Sequence, residues 1–395
     1  MDARVAAATP TRAIVALSFA ACGSAAALRV CDPLLPRLSV EYGIGLGVAS
    51  QVVTAFAVAY GVLQLAYGPI GDRYGKYRVV TLACAASALT SLACALAPTF
   101  GALVVARLFA GGTAGALIPL SLAWIGDTVP YEGRQPVLAK FLLGQMFGVA
   151  LGQLIGGWGA DRWGAPPVFL VLAAAFAASA VLLWRFAPPT SPAGASASAS
   201  GSVLARFAAV LRIGWARIVL ASVFLEGVFL FGALAFTPTH LNRAYGLPLT
   251  LAGSMLMLYG LGGMVYAALS GPLVRRLGEP GLAAGGGIIV LVCFGVIALM
   301  RVPIAAALAC LCAGLGFYML HNTLQVNATQ MAPAQRGSSV ALFAACLFLG
   351  QSTGVAMSGY AAERFGTGSV ILFGGVAVLL LAASFAVARR RLAAR

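Results

Sequence analysis

The chain alternates between long apolar stretches and short segments that carry charges, glycine or proline. Each apolar stretch approaches or exceeds the roughly 20 residues that a helix needs to cross a bilayer core. None of them alternates with a period of two, as the strands of an outer-membrane barrel would. We therefore predict an all-α integral membrane protein with twelve transmembrane helices, at residues 13–35, 49–70, 79–97, 99–126, 137–159, 167–187, 216–239, 248–272, 280–300, 303–327, 337–360 and 367–388.

The composition excludes a soluble globular protein. Of the 395 residues, 61% are hydrophobic and only 9% are charged, whereas a soluble domain carries about 25% charged residues. The eight cysteines all lie within the apolar stretches. They fit small buried packing residues and not a disulfide framework, and we expect no metal site.

The net charge of +15 is explained by topology. Most of the Lys and Arg residues lie in segments that share one side of the membrane if the N-terminus is inside. This asymmetry is the positive-inside rule, and it predicts that both termini are cytoplasmic. Basicity therefore gives no reason to expect a nucleic-acid partner. The basic residues that fall on the other side are Arg37, Arg162, Arg243, Arg301 and Arg364.

The two halves of the chain resemble each other. Residues 68–76 correspond to residues 271–279, and residues 157–164 correspond to residues 359–366. Parallel repeats of this kind are typical of membrane transporters. The predicted domains are an N-terminal six-helix bundle at 1–187, a cytoplasmic linker at 188–215 and a C-terminal six-helix bundle at 216–395. Residues 188–202 are rich in Pro, Ser and Ala, which is typical of a flexible linker. Apolar residues at helical spacing after it, from Leu204 to Leu211, favour a short amphipathic helix on the membrane surface.

One repeated segment carries a recognisable motif. Residues 67–78 include Gly68-Pro69-Ile70-Gly71-Asp72-Arg73-Tyr74-Gly75-Lys76, which resembles the signature loop between helices 2 and 3 of the major facilitator superfamily. Residues 103–111, around Arg107, resemble the second motif of that family. The resemblance implies a major facilitator fold and assigns the loop to gating; the alternative is a basic turn that only sets topology. We expect the gating residues to be Gly68, Gly71, Asp72, Arg73, Gly75, Lys76 and Arg78, with Asp127 and Arg134 as partners from the end of the fourth helix.

Glycines recur every four residues in the fifth predicted helix and form a smooth face for close helix packing. The pattern resembles the motif of the superfamily's exporters that exchange drugs or metabolites for protons. Gln153 stands where that motif has proline, which weakens the inference of antiport. We expect helix packing at Gly144, Gly148, Gly152, Gly156 and Gly157.

Charged residues inside apolar spans are costly and therefore indicate function. Glu226 lies near the middle of the seventh span, where desolvation penalises its anion and favours reversible protonation; a neutral, hydrogen-bonded carboxyl is the alternative. Arg29 and Asp32 lie three residues apart in the first predicted helix, as a coupling site or as a structural pair. Arg107 serves a proton relay or charge compensation, or it forms a static ion pair that holds helix 4 to helix 1. These four residues are the predicted proton-coupling set.

Polar residues in three spans are weaker candidates for substrate contact. They are Gln145, His321, Asn322 and Gln351. A single histidine in a membrane helix is more often a packing residue with a hydrogen bond. The sequence therefore gives them a substrate role only as the less favoured interpretation.

The resemblance implies a proton-coupled exporter that works by alternating access on a small amphipathic molecule. It implies a multi-pass protein of the bacterial cytoplasmic membrane, usually a monomer, with protons, substrate and the lipid bilayer as its partners. The alternatives are proton symport or facilitated uptake, and a transporter-like sensor that moves nothing. Motifs for ATP binding, metal-dependent hydrolysis and nucleophilic catalysis were not found, so neither an enzyme nor a cofactor is expected.

Overall fold

The computed structural model describes residues 10–188 and 202–393. Within them the secondary structure is helical, with no strand, and twelve helices are long and apolar enough to span a membrane. One continuous stretch, Leu249–Leu299, counts as two helices because Gly278 breaks it with a φ of 63°. The helices are α1 (Thr11–Arg29), α2 (Leu46–Tyr74), α3 (Lys76–Ala95), α4 (Phe100–Thr128), α5 (Gly133–Arg162), α6 (Ala165–Arg185), α7 (Gly214–Tyr245), α8 (249–277), α9 (279–299), α10 (Pro303–Gln330), α11 (Pro333–Phe365) and α12 (Thr367–Leu392).

The predicted spans differ most from these helices at the ends of the first and the seventh, since the seventh helix continues past residue 239 to Tyr245. The sequence predicted a helix to residue 35, but α1 ends at Arg29 and Asp32 lies in the turn that follows. Pro33 explains the difference, because a residue before proline avoids the helical conformation. A short helix, Leu35–Glu41, begins after this turn. Asp32 therefore lies just after α1 and not within the first helix, as the bounds of the predicted span implied.

Residues 189–201 of the predicted linker lie outside the described residues. After it, the chain forms the helix Val203–Arg212 that the spacing of apolar residues favoured. Val210 is fully buried against the bundle, whereas Leu204 stays exposed. This short helix precedes α7 at the end of the molecule that carries the 68–78 loop.

The twelve helices form two six-helix bundles, α1–α6 and α7–α12. The largest cluster of buried apolar residues is built mostly from the first bundle, and the second cluster comes from the second bundle. The bundles meet where α2 packs on α11 and α5 packs on α8; Tyr60 and Phe348, for example, have ring centroids 4.4 Å apart. We call the end that carries Arg73, Lys76 and Arg134 the basic end, and the opposite end, which carries Asp161 and Glu363, the distal end.

Glycines bring α5 into backbone contact with α1. A methyl group on Gly148 would lie 2.2 Å from the carbonyl oxygen of Cys22, and one on Gly156 would lie 2.2 Å from that of Val30. Gly144 and Gly152 face Ser18 and Ala26 in the same way, whereas Gly157 faces Leu249 of the other bundle. The four-residue spacing of these glycines therefore matches the four-residue spacing of the α1 residues that they contact.

Candidate substrate and proton site

A buried carboxyl and an imidazole meet inside the second bundle. The Oε2 atom of Glu226, on α7, lies 2.8 Å from the Nδ1 atom of His321, on α10. Glu226 is completely buried and the side chain of His321 is 12% exposed. The hydrogen bond fits a neutral acid beside an imidazole, a carboxylate beside an imidazolium, or a carboxylate that accepts from the Nδ1–H of a neutral imidazole. Both side chains are of a kind that can gain and lose a proton, and they are buried together.

The helix that carries Glu226 changes its winding directly after it. Residues Gly227–Phe231 form a π-helical turn, and regular α-helix resumes at Gly232. Such turns are rare and are found frequently at functional sites. The turn sets the direction of Phe231, which leaves α7 toward the first bundle.

Aromatic rings connect this pair to the first bundle. The His321 ring stacks on Phe317 with centroids 4.9 Å apart, and Phe317 contacts Phe231 at 5.4 Å. The guanidinium of Arg29 lies 4.3 Å from the centroid of the Phe231 ring, within the range of a cation–π contact. The rings thus form a continuous path of contacts from Arg29 to Glu226 across the boundary between the bundles.

Arg29 and Asp32 lie at the end of this path. The Nη1 atom of Arg29 is 3.7 Å from Oδ2 of Asp32, an ion pair too long for a hydrogen bond. The same carboxylate oxygen accepts a hydrogen bond of 3.0 Å from Nε2 of Gln153 on α5. Asp32 is completely buried, and Arg29 and Gln153 are nearly so. The sequence treated Gln153 only as a departure from a motif and missed this role.

Several buried polar atoms near these residues have no hydrogen-bond partner among the described residues. The donors and acceptors are Nη1 of Arg29, Oδ1 of Asp32, Oε1 of Gln153, Oε1 of Glu226, the Tyr259 hydroxyl and both side-chain atoms of Gln351. Buried polar groups are normally paired, so unpaired groups beside the bundle boundary are suited to bind a polar solute.

Arg107 does not form the ion pair that the sequence left as the alternative to a proton relay or charge compensation. It is 1% exposed and donates hydrogen bonds of 3.1 Å to the carbonyl oxygens of Ala27 on α1 and Val52 on α2. Its guanidinium also lies 4.1 Å from the centroid of the Phe56 ring. Among the described residues it has no carboxylate within ion-pair distance. Arg107 therefore ties three helices together through backbone carbonyls.

The predicted gating loop is organised by one lysine. Lys76, the first residue of α3, lies 3.1 Å from Asp72 and also binds Asp127 at the end of α4. Gly75, between α2 and α3, has a φ of 88°, a conformation that favours glycine. Arg134 hydrogen-bonds the carbonyl of Val129 and not the loop. Gly71 is buried against Leu120, whereas Gly68, Arg73 and Arg78 are exposed.

The predicted substrate residues are dispersed. His321 joins Glu226, and Gln351 is completely buried with unpaired polar atoms. Asn322 lies beside Tyr266, and Gln145 is half-buried on α5. An apolar cavity of about 370 Å³ lies elsewhere, between α7, α11 and α12, and it contains none of these residues.

The match to a protein-family model decides the family. The model of the Major Facilitator Superfamily matches residues 17–355, which is most of the chain. The chain belongs to the major facilitator superfamily. As a member of the superfamily it is a multi-pass membrane protein and a secondary transporter of small molecules, not an enzyme.

Individual superfamily members are only distant relatives. An uncharacterised transporter of Bacillus subtilis, YceJ, is 23% identical over 337 residues, which cover 83% of this chain and 84% of that protein. The multidrug export protein EmrB of Haemophilus influenzae is 26% identical over 137 residues, 34% of this chain and 27% of that protein. The solved nucleoside transporter NupG superposes with a TM-score of 0.78 at 14% identity, covering 96% of this chain and 98% of that one. This last likeness establishes the fold alone.

Proposed function

We propose that the protein exports a small amphipathic molecule in exchange for protons across the bacterial cytoplasmic membrane. The observation that carries the proposal is the buried pair of Glu226 and His321, 2.8 Å apart. Ionisable groups inside a membrane bundle are characteristic of proton relays in transporters. The likeness to a multidrug export protein over part of the chain adds support for efflux.

The proposed cycle uses the two ends of the bundle. The positive-inside rule places the basic end in the cytoplasm. The bundles are joined by hydrogen bonds at the distal end, so this state is suited to take substrate from the cytoplasmic side. Substrate that binds against the aromatic path releases the proton of the pair inward. A proton from outside then resets the pair after the substrate has left.

The substrate's chemistry follows from the residues along the path. Phe231, Phe317 and Tyr259 offer ring surfaces, and Tyr259 stacks on Phe317 at 5.6 Å. Arg29 and Asp32 offer a charged donor and acceptor at one end. A molecule with an apolar or aromatic body and a polar group at one end fits both kinds of surface.

A second candidate function is uptake by proton symport. Nη1 of Arg29 is a buried donor without a hydrogen bond among the described residues, and Gln153 already donates to the nearest oxygen of Asp32. A guanidinium with a free N–H suits an anionic substrate. An anion would be neutralised by a proton bound at the same time, and this coupling moves both in the same direction.

The test is a pH-gradient assay in everted membrane vesicles with an acidified lumen. A panel of antibiotics, dyes, aromatic acids, sugars and amino acids is added to wild type, Glu226→Gln and His321→Gln. Antiport predicts that a substrate collapses the gradient in wild type and in neither variant. Symport predicts that substrate added to the bath does not collapse the gradient, whereas substrate loaded into the lumen does, because substrate and proton then leave the lumen together.

Two variants serve as matched controls. His240→Gln removes the other buried histidine, which binds Thr367 near the distal end. Glu41→Gln removes an acid that pairs with Arg37 outside the membrane core. Proton coupling at the pair would be refuted if Glu226→Gln and His321→Gln transported like these controls.

A further inference from the structure

Two carboxylates hold the bundles together at the distal end. Asp161, in the last turn of α5, accepts hydrogen bonds from the backbone N–H of Leu249 at 3.1 Å and of Thr250 at 2.6 Å. Its Oδ2 atom also accepts one from the Thr250 hydroxyl at 2.7 Å. Glu363, in the last turn of α11, accepts one from the backbone N–H of Gly47 at 2.8 Å. Among the side chains of residues 12–130, 133–188 and 202–392, these hydrogen bonds are the ones that cross between the bundles.

Each carboxylate caps a helix that lacks a cap of its own. The first N–H groups of a helix have no partner within it, and the helix dipole favours a negative charge at that end. Pro248 precedes α8 and provides no side-chain hydrogen bond, and Gly45 precedes α2 and has no side chain. Asp161 and Glu363 supply from the opposite bundle what these helices do not supply themselves.

The two caps are equivalent positions of the internal repeat. Ala160-Asp161-Arg162 corresponds to Ala362-Glu363-Arg364. Beside each cap a glycine allows close approach: Gly157 faces the Leu249 carbonyl, and Gly359 faces Ser50. The first bundle therefore contributes one carboxylate to the second, and the second bundle returns the equivalent one.

The basic end is arranged in the opposite way. Lys76 binds Asp72 and Asp127 within the first bundle, and Arg389 binds Glu279 at 2.8 Å within the second. Among the side chains described at this end, these charged contacts thus stay inside each bundle. The described hydrogen bonds that would have to break for the bundles to separate lie at the distal end.

We propose that Asp161 and Glu363 are a gating pair that holds the distal end closed and so sets how often the transporter opens on that side. The proposal requires that the bundles alternate in opening, but it does not depend on proton coupling or on the identity of the substrate. Loss of both charges shifts the population of transporter conformations toward those that are open at the distal end and closed at the basic end, because the bundles rock as units.

The test is hydrogen–deuterium exchange of the purified full-length protein, read by mass spectrometry without substrate. In the double variant Asp161→Asn/Glu363→Gln, we expect amide exchange about tenfold faster than in wild type in peptides from residues 46–56 and 249–259. We also expect slower exchange at the basic end, in peptides from residues 64–78 and 267–278. This reciprocal protection is the decisive readout, since a merely structural cap would not change the far end.

Matched variants complete the experiment. Glu41→Gln removes a distal-end acid that pairs within its own bundle, so its exchange should equal that of wild type at both ends. Asp161→Glu and Glu363→Asp retain the charges and should restore much of the wild-type pattern. The proposal fails if the double variant exchanges like wild type, or if exchange rises only at the capped amides without protection at the basic end. An uncoupled but alternating transporter would still pass this test, so its result is independent of the vesicle assay.

Discussion

Gln153 of α5 donates a hydrogen bond of 3.0 Å to Asp32, the buried carboxylate that follows α1. Gly152 and Gly156 on either side of it bring α5 against the α1 backbone, so the amide reaches the carboxylate across a very short gap. The residue that departs from the exporter motif is therefore a structural partner of a candidate coupling site.

Replacing this glutamine should destabilise the first bundle. Gln153→Leu leaves a buried carboxylate without its amide donor, and the loss of a hydrogen bond to a charged group costs about 1.5–3 kcal/mol. Thermal unfolding in detergent should show a lower midpoint than for Gln145→Leu, which changes a half-buried glutamine of the same helix. Equal midpoints for the two variants would mean that the hydrogen bond contributes nothing to stability.

Glu226→Gln should uncouple the movement of substrate from the movement of protons. The amide can still hydrogen-bond His321, so we expect the protein to fold and to exchange labelled for unlabelled substrate across the membrane. Transport of substrate against its gradient should disappear, because the amide cannot carry the coupling proton. In wild type, one proton moving down 100 mV supplies about 2.3 kcal/mol, which sustains roughly a 50-fold substrate gradient. Counterflow and accumulation are measured in the same proteoliposomes. Accumulation that survives in the variant would place the coupling proton elsewhere.

Arg107→Lys should distinguish a structural role from a relay. A lysine cannot donate to the carbonyls of Ala27 and Val52 with the fixed geometry of a guanidinium. We expect a loss of about 1–3 kcal/mol in stability with an unchanged ratio of protons to substrate. The ratio is measured from paired substrate and pH signals in vesicles. A changed ratio in a normally stable variant would instead support a relay.

Gly148→Ala should lower the stability of the protein much more than the same substitution at a glycine that has open space around it. The new methyl group would lie 2.2 Å from the Cys22 carbonyl, and overpacking of this kind typically costs about 1–3 kcal/mol. Gly126→Ala is the control, because nothing lies within 4 Å of its added methyl group. Unfolding of both variants in graded detergent mixtures provides the comparison. Similar stabilities would show that α1 and α5 can separate without cost.

The sequence predicted the helices far better than the contacts of the site. Long apolar runs predict the spans because a helix must match the thickness of the bilayer. The first predicted span nevertheless ran past Arg29, because apolar residues continue into the turn that Pro33 favours. Glu226 was identifiable from its cost in a membrane. His321 was not identifiable as its partner, because 95 residues separate them and only the packing of α7 on α10 brings them together.

The distal carboxylates illustrate the same limit. Asp161 and Glu363 were visible as members of a repeat, and the motif gave no sign that each reaches the first turn of a helix in the other bundle. Repetition in a sequence reports equivalence between positions, but it does not report which surfaces meet. Long-range hydrogen bonds of this kind are set by tertiary structure alone.

The π-helical turn at Gly227–Phe231 affects how this chain is aligned with other transporters. A wider turn accommodates one more residue than an α-helical turn, and one residue corresponds to about 100° of rotation around the helix axis. A relative whose seventh helix is regular will therefore match this chain only if a one-residue gap is opened inside a membrane span. Without that gap, every residue from Gly232 to Tyr245 is compared with a neighbour from a different face.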